Sequence, residues 1–264
     1  MHNVGIVLYT TGINEKNLKT SLKSFNHIKD NVVIISDGEL VNKELVKGYN
    51  FKEFKRCLYP SACYNYGIRE HLKNDNIEYI FIINDNISIL DDSVYTDYIN
   101  AAKQTNIGLF VSCTNEDDPY GKSDNLRLTI AIKDGYSLTL NKGFNGNLIM
   151  LNKKTIELAG FFDERYKGAF EVGDYYKKCS DVGITVPYGW FVDVKNVEDN
   201  LLYQTNLPTK THETMNQQTL EDRMIRGMKV FHMKYKAQFN ELLNIYTAND
   251  VISKIKSLAS RSFE

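Results

Sequence analysis

The feature that most constrains this chain is a rhythm. Short apolar runs, each ending in small polar residues, alternate with stretches of helical spacing. VGIVLY (4–9), Val32–Ile35 within NVVIISDGE, and YIFII (79–83) are nearly continuous apolar runs, as strands covered on both faces require. Between the first two, Leu18, Ser21, Leu22 and Phe25 recur at helical spacing and predict a helix over 15–26; a second helix is predicted over 61–73. Strands that alternate with helices build a mostly parallel α/β sheet. Ligands of such sheets sit at the carboxyl ends of the strands, where connections diverge. Thr10-Thr11, Asp37 and Asn84-Asp85-Asn86 each follow a strand directly, which predicts one shared crevice.

Further along, IGLFVSC, LRLTIAI and GNLIML (107–150) read as strands separated by polar turns. A short helix is predicted over 152–160, ending at Gly160, a longer one over 171–182, and a strand over 184–194. From about 216 the pattern is helical: Met224, Met228, Phe231, Tyr235, Phe239, Leu242 and Tyr246 form a stripe expected to pack against the rest. The polar, Pro-containing segment VEDNLLYQTNLPTKTHE suggests a boundary near 200–215. The expected organisation is a main domain over 1–200 and a helical extension over 201–264.

With 32 Lys+Arg against 33 Asp+Glu, overall charge argues for no polyanionic partner. No apolar run approaches the length of a membrane span, and the opening MHNVGIVLYT lacks the pattern of a secretory signal. No stable membrane insertion and a cytoplasmic setting are therefore expected, in a bacterium or a phage-infected cell. Cys57, Cys63, Cys113 and Cys179 lack C-x-x-C spacing, which argues against a zinc site or a disulfide framework.

Several clusters carry chemistry. Asp85 can bind a hard cation, whereas Asn84 and Asn86 offer only neutral amide oxygens; the triplet reads equally as a strand-end turn. Asp37-Gly38 can receive a base N–H or a ribose hydroxyl, or make an ordinary turn. In FFDERYKGAFEVGDYYKKC (161–179), Glu171 and Asp174 lie three apart at a helix start, where the dipole favours an anion. Such a carboxylate among aromatics suits a general base, and it suits capping equally. His212, in a loop after Pro208, completes a metal shell or stays solvated.

Taken in order, these pieces resemble a glycosyltransferase of the GT-A fold, close to the large family 2 of inverting enzymes, over roughly residues 3–195. VGIVLYTTGINEKNLKTSLKSF is similar to that family's first strand, nucleotide-facing loop and helix. VVIISDGE matches its second strand with the nucleotide-contacting acid at Asp37, and SACYNYGI its segment ending in Asn-x-Gly-Ile. YIFIINDNISI matches the strand running into its D-x-D motif, and AGFFDERYKGAFEVGDYYKKCSDVG its Gly-Phe-Asp-Glu segment and acidic pair. RGMKVFHMKYKAQF is similar to its late helix, with His212 preceding it as a metal-binding His does.

The resemblance implies a Rossmann-like, mostly parallel sheet flanked by helices, with a C-terminal helical extension. It implies a nucleotide-sugar donor held by Thr10, Thr11, Asp37, Asn65, Asn84, Asp85 and Asn147. Mn²⁺ or Mg²⁺ would sit at Asp85 and Asn86, with His212. Glu171, or else Asp174, would deprotonate the acceptor hydroxyl. Two departures stand out: the family's principal metal ligand is replaced by Asn86, and the second acid of the Glu-Asp pair aligns with Val172.

The expected acceptor is a saccharide or glycoconjugate, the alternative a hydroxymethylated base in DNA or a sugar already on it. Residues 208–264 carry nine Lys/Arg against six Asp/Glu. Arg223, Arg226, Lys229, Lys234 and Lys236 either contact DNA phosphates there or form a solvated helix face. A nucleotidyltransferase, or a non-catalytic sugar- or nucleotide-binding relative, are further alternatives. TTGINEKN is a poor phosphate loop for the first of these. The sequence leaves oligomeric state open.

Overall fold

A computed structural model describes residues 3–38, 40–112, 128–132, 136–143, 146–195, 197–203, 220–237 and 239–260. The predicted apolar runs form the centre of the fold. β1 (Val4–Thr10), β2 (Val32–Asp37) and β4 (Tyr79–Asn84) are buried almost throughout, as strands covered on both faces must be. They join β3 (Asn50–Phe54), β6 (Leu109–Val111) and β9 (Leu148–Asn152) in a six-stranded sheet of order β3-β2-β1-β4-β9-β6. The first four strands pair in parallel; β9 runs antiparallel to both β4 and β6.

The chain leaves β1 in one direction for β2 and β3, then returns to the other flank of β1 for β4. The switch point therefore lies between β1 and β4. Register brings the strand ends level there, with Tyr9 opposite Asn84 and Thr10 opposite Ser36.

The flanking helices follow local rules. α1 (Glu15–Phe25) is capped by the Asn14 side chain, which accepts the Asn17 N–H, and it buries Leu18, Ser21, Leu22 and Phe25. α2 (Tyr59–His71) has Pro60 in its first turn, and His71 Nε2 donates to the Ile6 carbonyl at 2.9 Å, fastening it to β1. α3 (Ser93–Thr105) follows a short strand, β5 (Ile87–Ile89). α4 (Lys153–Ala159) ends at Gly160, which takes φ +73°. α5 (Glu171–Asp181) starts at Phe170. A second sheet of three antiparallel strands, β7 (Leu128–Ala131), β8 (Ser137–Asn141) and β10 (Phe191–Val194), is ordered β10-β8-β7. β11 (Leu201–Tyr203) pairs with β5.

At the C-terminal side lie α6 (Leu220–Tyr235), α7 (Phe239–Leu243) and α8 (Ala248–Ala259). They are fastened to the body by long-range bonds. Trp190 Nε1 donates to the Tyr246 carbonyl at 3.0 Å, Lys142 Nζ to Leu243 at 2.8 Å, and Asn106 Nδ2 to Leu258 at 2.8 Å. A reciprocal Thr247–Asp250 capping box starts α8. No described helix is long and apolar enough to cross a membrane.

Two expectations are corrected. Residues 184–190 are turns, and only Phe191–Val194 is strand, because Pro187 and Gly189 (φ +93°) interrupt the extended backbone. The expected stripe does not bury one face. Phe231 is buried, but Met228 and Tyr246 are exposed, and Lys236 (φ +54°) ends the helical run. The side chain of Phe239 lies outside the described residues.

Candidate active site

Two of the three polar strand ends, those of β1 and β4, meet at the switch point. Thr10 Oγ donates to the Asp85 carboxylate across the gap between β1 and β4, and accepts the Gly12 N–H at 2.9 Å. The Asp85 N–H donates to the Tyr9 carbonyl at 3.0 Å, continuing the pairing past the strand end. Asn84 is held from two sides. Tyr64 Oη donates to its Oδ1 at 3.0 Å, and its Nδ2 donates to Asn147 Oδ1 at 3.0 Å. Thr10 is fully buried and Thr11 nearly so, whereas Asn84, Asp85 and Asn86 are half-buried. Burial pushes the Asp85 carboxyl up to about 6, against the opposing pull of the Thr10 hydroxyl.

Glu171 opens α5 beside this cluster. Its charge is the chief electrostatic influence on the Tyr64 phenol, the group that holds Asn84. Burial pushes the Glu171 carboxyl up to about 7; its own backbone N–H and the Arg223 guanidinium pull the other way. Oε2 of Glu171 is buried and has no hydrogen-bond partner among the described residues. Asp85 and Glu171 are thus two carboxyl groups whose surroundings hold a proton at unusually high pH.

Arg223 reaches this corner from α6 because that helix crosses the start of α5 at close range. A Cβ at Gly227 would lie 2.6 Å from the Phe170 ring, so only glycine admits the crossing. Arg223 is buried, and its Nε and Nη2 have no hydrogen-bond partner among the described residues. A Cβ at Gly168 would lie 3.1 Å from Nη1. Phe170 and Tyr59, both non-glycine residues with φ of 70°, flank the same corner. Backbone outliers of this kind are held by their surroundings and gather where function constrains the chain.

Other expected residues are committed elsewhere. Asp37 is fully buried and accepts the Tyr9 hydroxyl (3.1 Å), the Cys57 thiol (3.2 Å) and the N–H groups of Leu58 (2.6 Å) and Tyr59 (3.0 Å). It braces the approach to α2 and presents no surface to a nucleotide. Asn65 clamps α2 to the 162–164 segment, giving Nδ2 to the Phe162 carbonyl and to Glu164 at 2.9 Å each and accepting the Phe162 N–H at 2.8 Å. Asp174 has no exposure; it accepts Lys234 Nζ at 2.6 and 2.7 Å, Tyr235 Oη at 2.9 Å and Tyr166 Oη at 3.0 Å. That carboxylate ties α6 to α5. Of the five basic residues on the last long stretch, Arg223 and Lys234 turn inward, while Arg226, Lys229 and Lys236 are exposed.

Tyr64 and the buried setting of Arg223 were not legible as site features. Gly227 was the available signal, since a glycine four residues after an arginine inside a helix marks close backbone approach.

The residues present fit a cation only in part of its shell. Asn86 Oδ1 is buried without a partner among the described residues, and Asp85 precedes it in the chain. Two such oxygens suit Mg²⁺ or Mn²⁺, which complete their shells with water and substrate phosphates. Among the described residues no three His, Cys, Asp or Glu side chains gather into a site made by protein alone. His212 and Cys113 lie outside the described residues.

A mostly parallel sheet ordered 3-2-1-4 with one reversed strand beyond it, and polar strand ends gathered at its switch point, define an open, mixed α/β fold with helices flanking the sheet. Solved structures of this kind are similar to the chain. The mannosyltransferase PcManGT from Pyrobaculum calidifontis, solved with GDP-Man and Mn²⁺, matches at TM-score 0.48 and 13% identity over 69% of this chain and 52% of its own. S. aureus TarS with UDP matches at TM-score 0.46 and 12% identity over 66% of this chain and 54% of its own. Another structure of S. aureus TarS matches at 0.49 and 11%, over 98% of this chain and 49% of its own. The chain thus spans about half the length of each. At these identities and TM-scores the likeness carries no conclusion about this chain. No protein-family model and no curated protein matches the sequence.

Proposed function

We propose that the protein transfers a sugar from a nucleotide-sugar donor to a hydroxyl of a saccharide or glycoconjugate, with inversion. The observation that carries this reading is Glu171, a half-buried carboxylate with one buried, unpartnered oxygen at the edge of a switch-point crevice. Its high pKa places it near the operating range of a general base that takes a proton from the attacking hydroxyl. Asn84, held by Tyr64 and Asn147, and Asp85, held by Thr10, line the donor side. Asp85 and Asn86 would hold a divalent cation, which when bound neutralises charge on the donor diphosphate. Thr11 closes the nucleotide end.

A second reading, a modified base in DNA as acceptor, is favoured by the exposed Arg226, Lys229 and Lys236 on α6. The Arg226 charge reaches Tyr59 at the rim of the crevice.

The test is a mass shift on candidate saccharides incubated with a panel of UDP- and GDP-sugars, with Mn²⁺ and with EDTA. Transfer with inverted anomeric configuration is expected, and chelation is expected to slow it. Absence of both transfer and donor hydrolysis with every donor would sink the reading in favour of a binding module.

A further inference from the structure

We propose that Arg223, delivered by α6, is the fixed countercharge for the diphosphate of the donor. It binds that group through its two unpartnered N–H groups and does so without a divalent cation. The proposal rests on the donor reading above.

The cation side of the crevice is short of charge. Its one carboxylate, Asp85, already accepts the Thr10 hydroxyl, and its neighbours Asn84 and Asn86 are neutral. A diphosphate carries two or more negative charges, and a neutral amide cannot offset them. The only charge the triplet supplies is itself negative. Something else near Glu171 has to supply the positive charge, and the described residues offer a guanidinium that is 5% exposed with two N–H groups facing no acceptor.

Leaving a buried cationic donor unmatched is costly unless a partner arrives. The Glu171 carboxylate is close enough for its charge to be felt by Arg223, yet Oε2 of Glu171 is unpartnered as well. Because the two groups do not bond each other, the guanidinium stays available to a phosphate oxygen that enters the corner between α5 and α6. A planar guanidinium presents a fork suited to phosphate oxygens, and this one can reach them through Nε and Nη2 together. The glycine positions support the same geometry. Gly168 leaves space against Nη1, and Gly227 lets α6 approach until Arg223 enters the corner. As the bond to the sugar breaks, the charge on the departing diphosphate grows, and a preorganised cation there stabilises it.

The test is isothermal titration of the full chain, in EDTA, with inorganic pyrophosphate, UDP, GDP and the parent nucleosides. The wild type is expected to bind pyrophosphate and at least one nucleoside diphosphate. Arg223→Gln should weaken both at least tenfold while leaving nucleoside affinity unchanged, and Arg223→Lys should recover part of the loss. Hydrogen exchange of the wild type gives a reading that needs no variant: amides around 223–227 should slow when pyrophosphate binds. If Arg223→Gln binds as tightly as the wild type, or exchange on α6 is unmoved by a ligand that does bind, the inference fails and the donor reading stands. If pyrophosphate binds through Arg223 and neither UDP nor GDP binds, even with Mn²⁺ added, the donor reading fails and Arg223 is a phosphate site that serves no nucleotide donor. No binding of any of these ligands in EDTA overturns the inference, and no binding after Mn²⁺ is added overturns the donor reading as well.

Discussion

Glu171 carries opposite consequences for stability and for turnover. Its folded-state pKa of about 7 lies above the ordinary glutamate value, so the native state favours the protonated form. Its contribution to stability is therefore whole below about pH 4 and is lost as pH rises through 7, a cost of up to about 3 kcal/mol at pH 8. Glu171→Gln removes that cost. The variant should melt higher than the wild type at pH 8 and match it near pH 4, as differential scanning calorimetry would read. Its turnover should meanwhile fall by roughly 10²–10⁴-fold, as loss of a general base implies. Wild-type activity should rise with pH up to about 7. A variant that is no more stable at pH 8 would mean the carboxylate is solvated, and unchanged turnover would remove it from the base role.

The element that matters most to the site is α6, and one ion pair secures it. Lys234 spans to Asp174 and, at 3.3 Å, to Asp163, whose carboxyl the Arg165 guanidinium, followed by Lys234, holds well below the usual range. Lys234→Met leaves the fully buried Asp174 without its countercharge and should cost about 3 kcal/mol in urea unfolding. A loss under about 1 kcal/mol would mean the tyrosines alone hold that carboxylate. None of this was legible in the sequence, because the partners lie 60 residues apart and both read as ordinary helix charges. What was legible follows from burial: β1, β2 and β4 are covered on both faces and so carry unbroken apolar runs. β3 escaped notice because an edge strand half in solvent admits Lys52 and Glu53. The 184–194 segment misled because its apolar residues serve buried turns around Pro187 and Gly189. At the site, the strand ends were readable from position alone, while the inward turn of Asp37 and Asp174 was decided by donors from distant segments.

For the molecule as a whole, formal charge is −1, and the basic face expected on the last helices is thinner than its residue count suggests. With Arg223 and Lys234 turned inward, three exposed cations remain on or next to α6. A saccharide-directed enzyme with so few should show no measurable affinity for duplex DNA at about 50 mM salt, read by fluorescence anisotropy. Micromolar binding with a log–log salt slope near −3, about −0.9 per phosphate neutralised, would move the acceptor to DNA.

The crossing of α6 over the start of α5 also has a temporal side. Thr10 and Arg223 lie far apart in the sequence, yet the proposed donor site uses both. During synthesis, at roughly 5–20 residues per second, the central sheet can close well before α6 has left the ribosome. A nascent chain of that length holds the strand-end amides and Glu171 but lacks the guanidinium. It would therefore present an acidic, unfilled pocket with little hold on a nucleotide. If Arg223 holds the donor as proposed, capture begins only once the last helices have docked, so the nucleotide would report on completed folding and not template it.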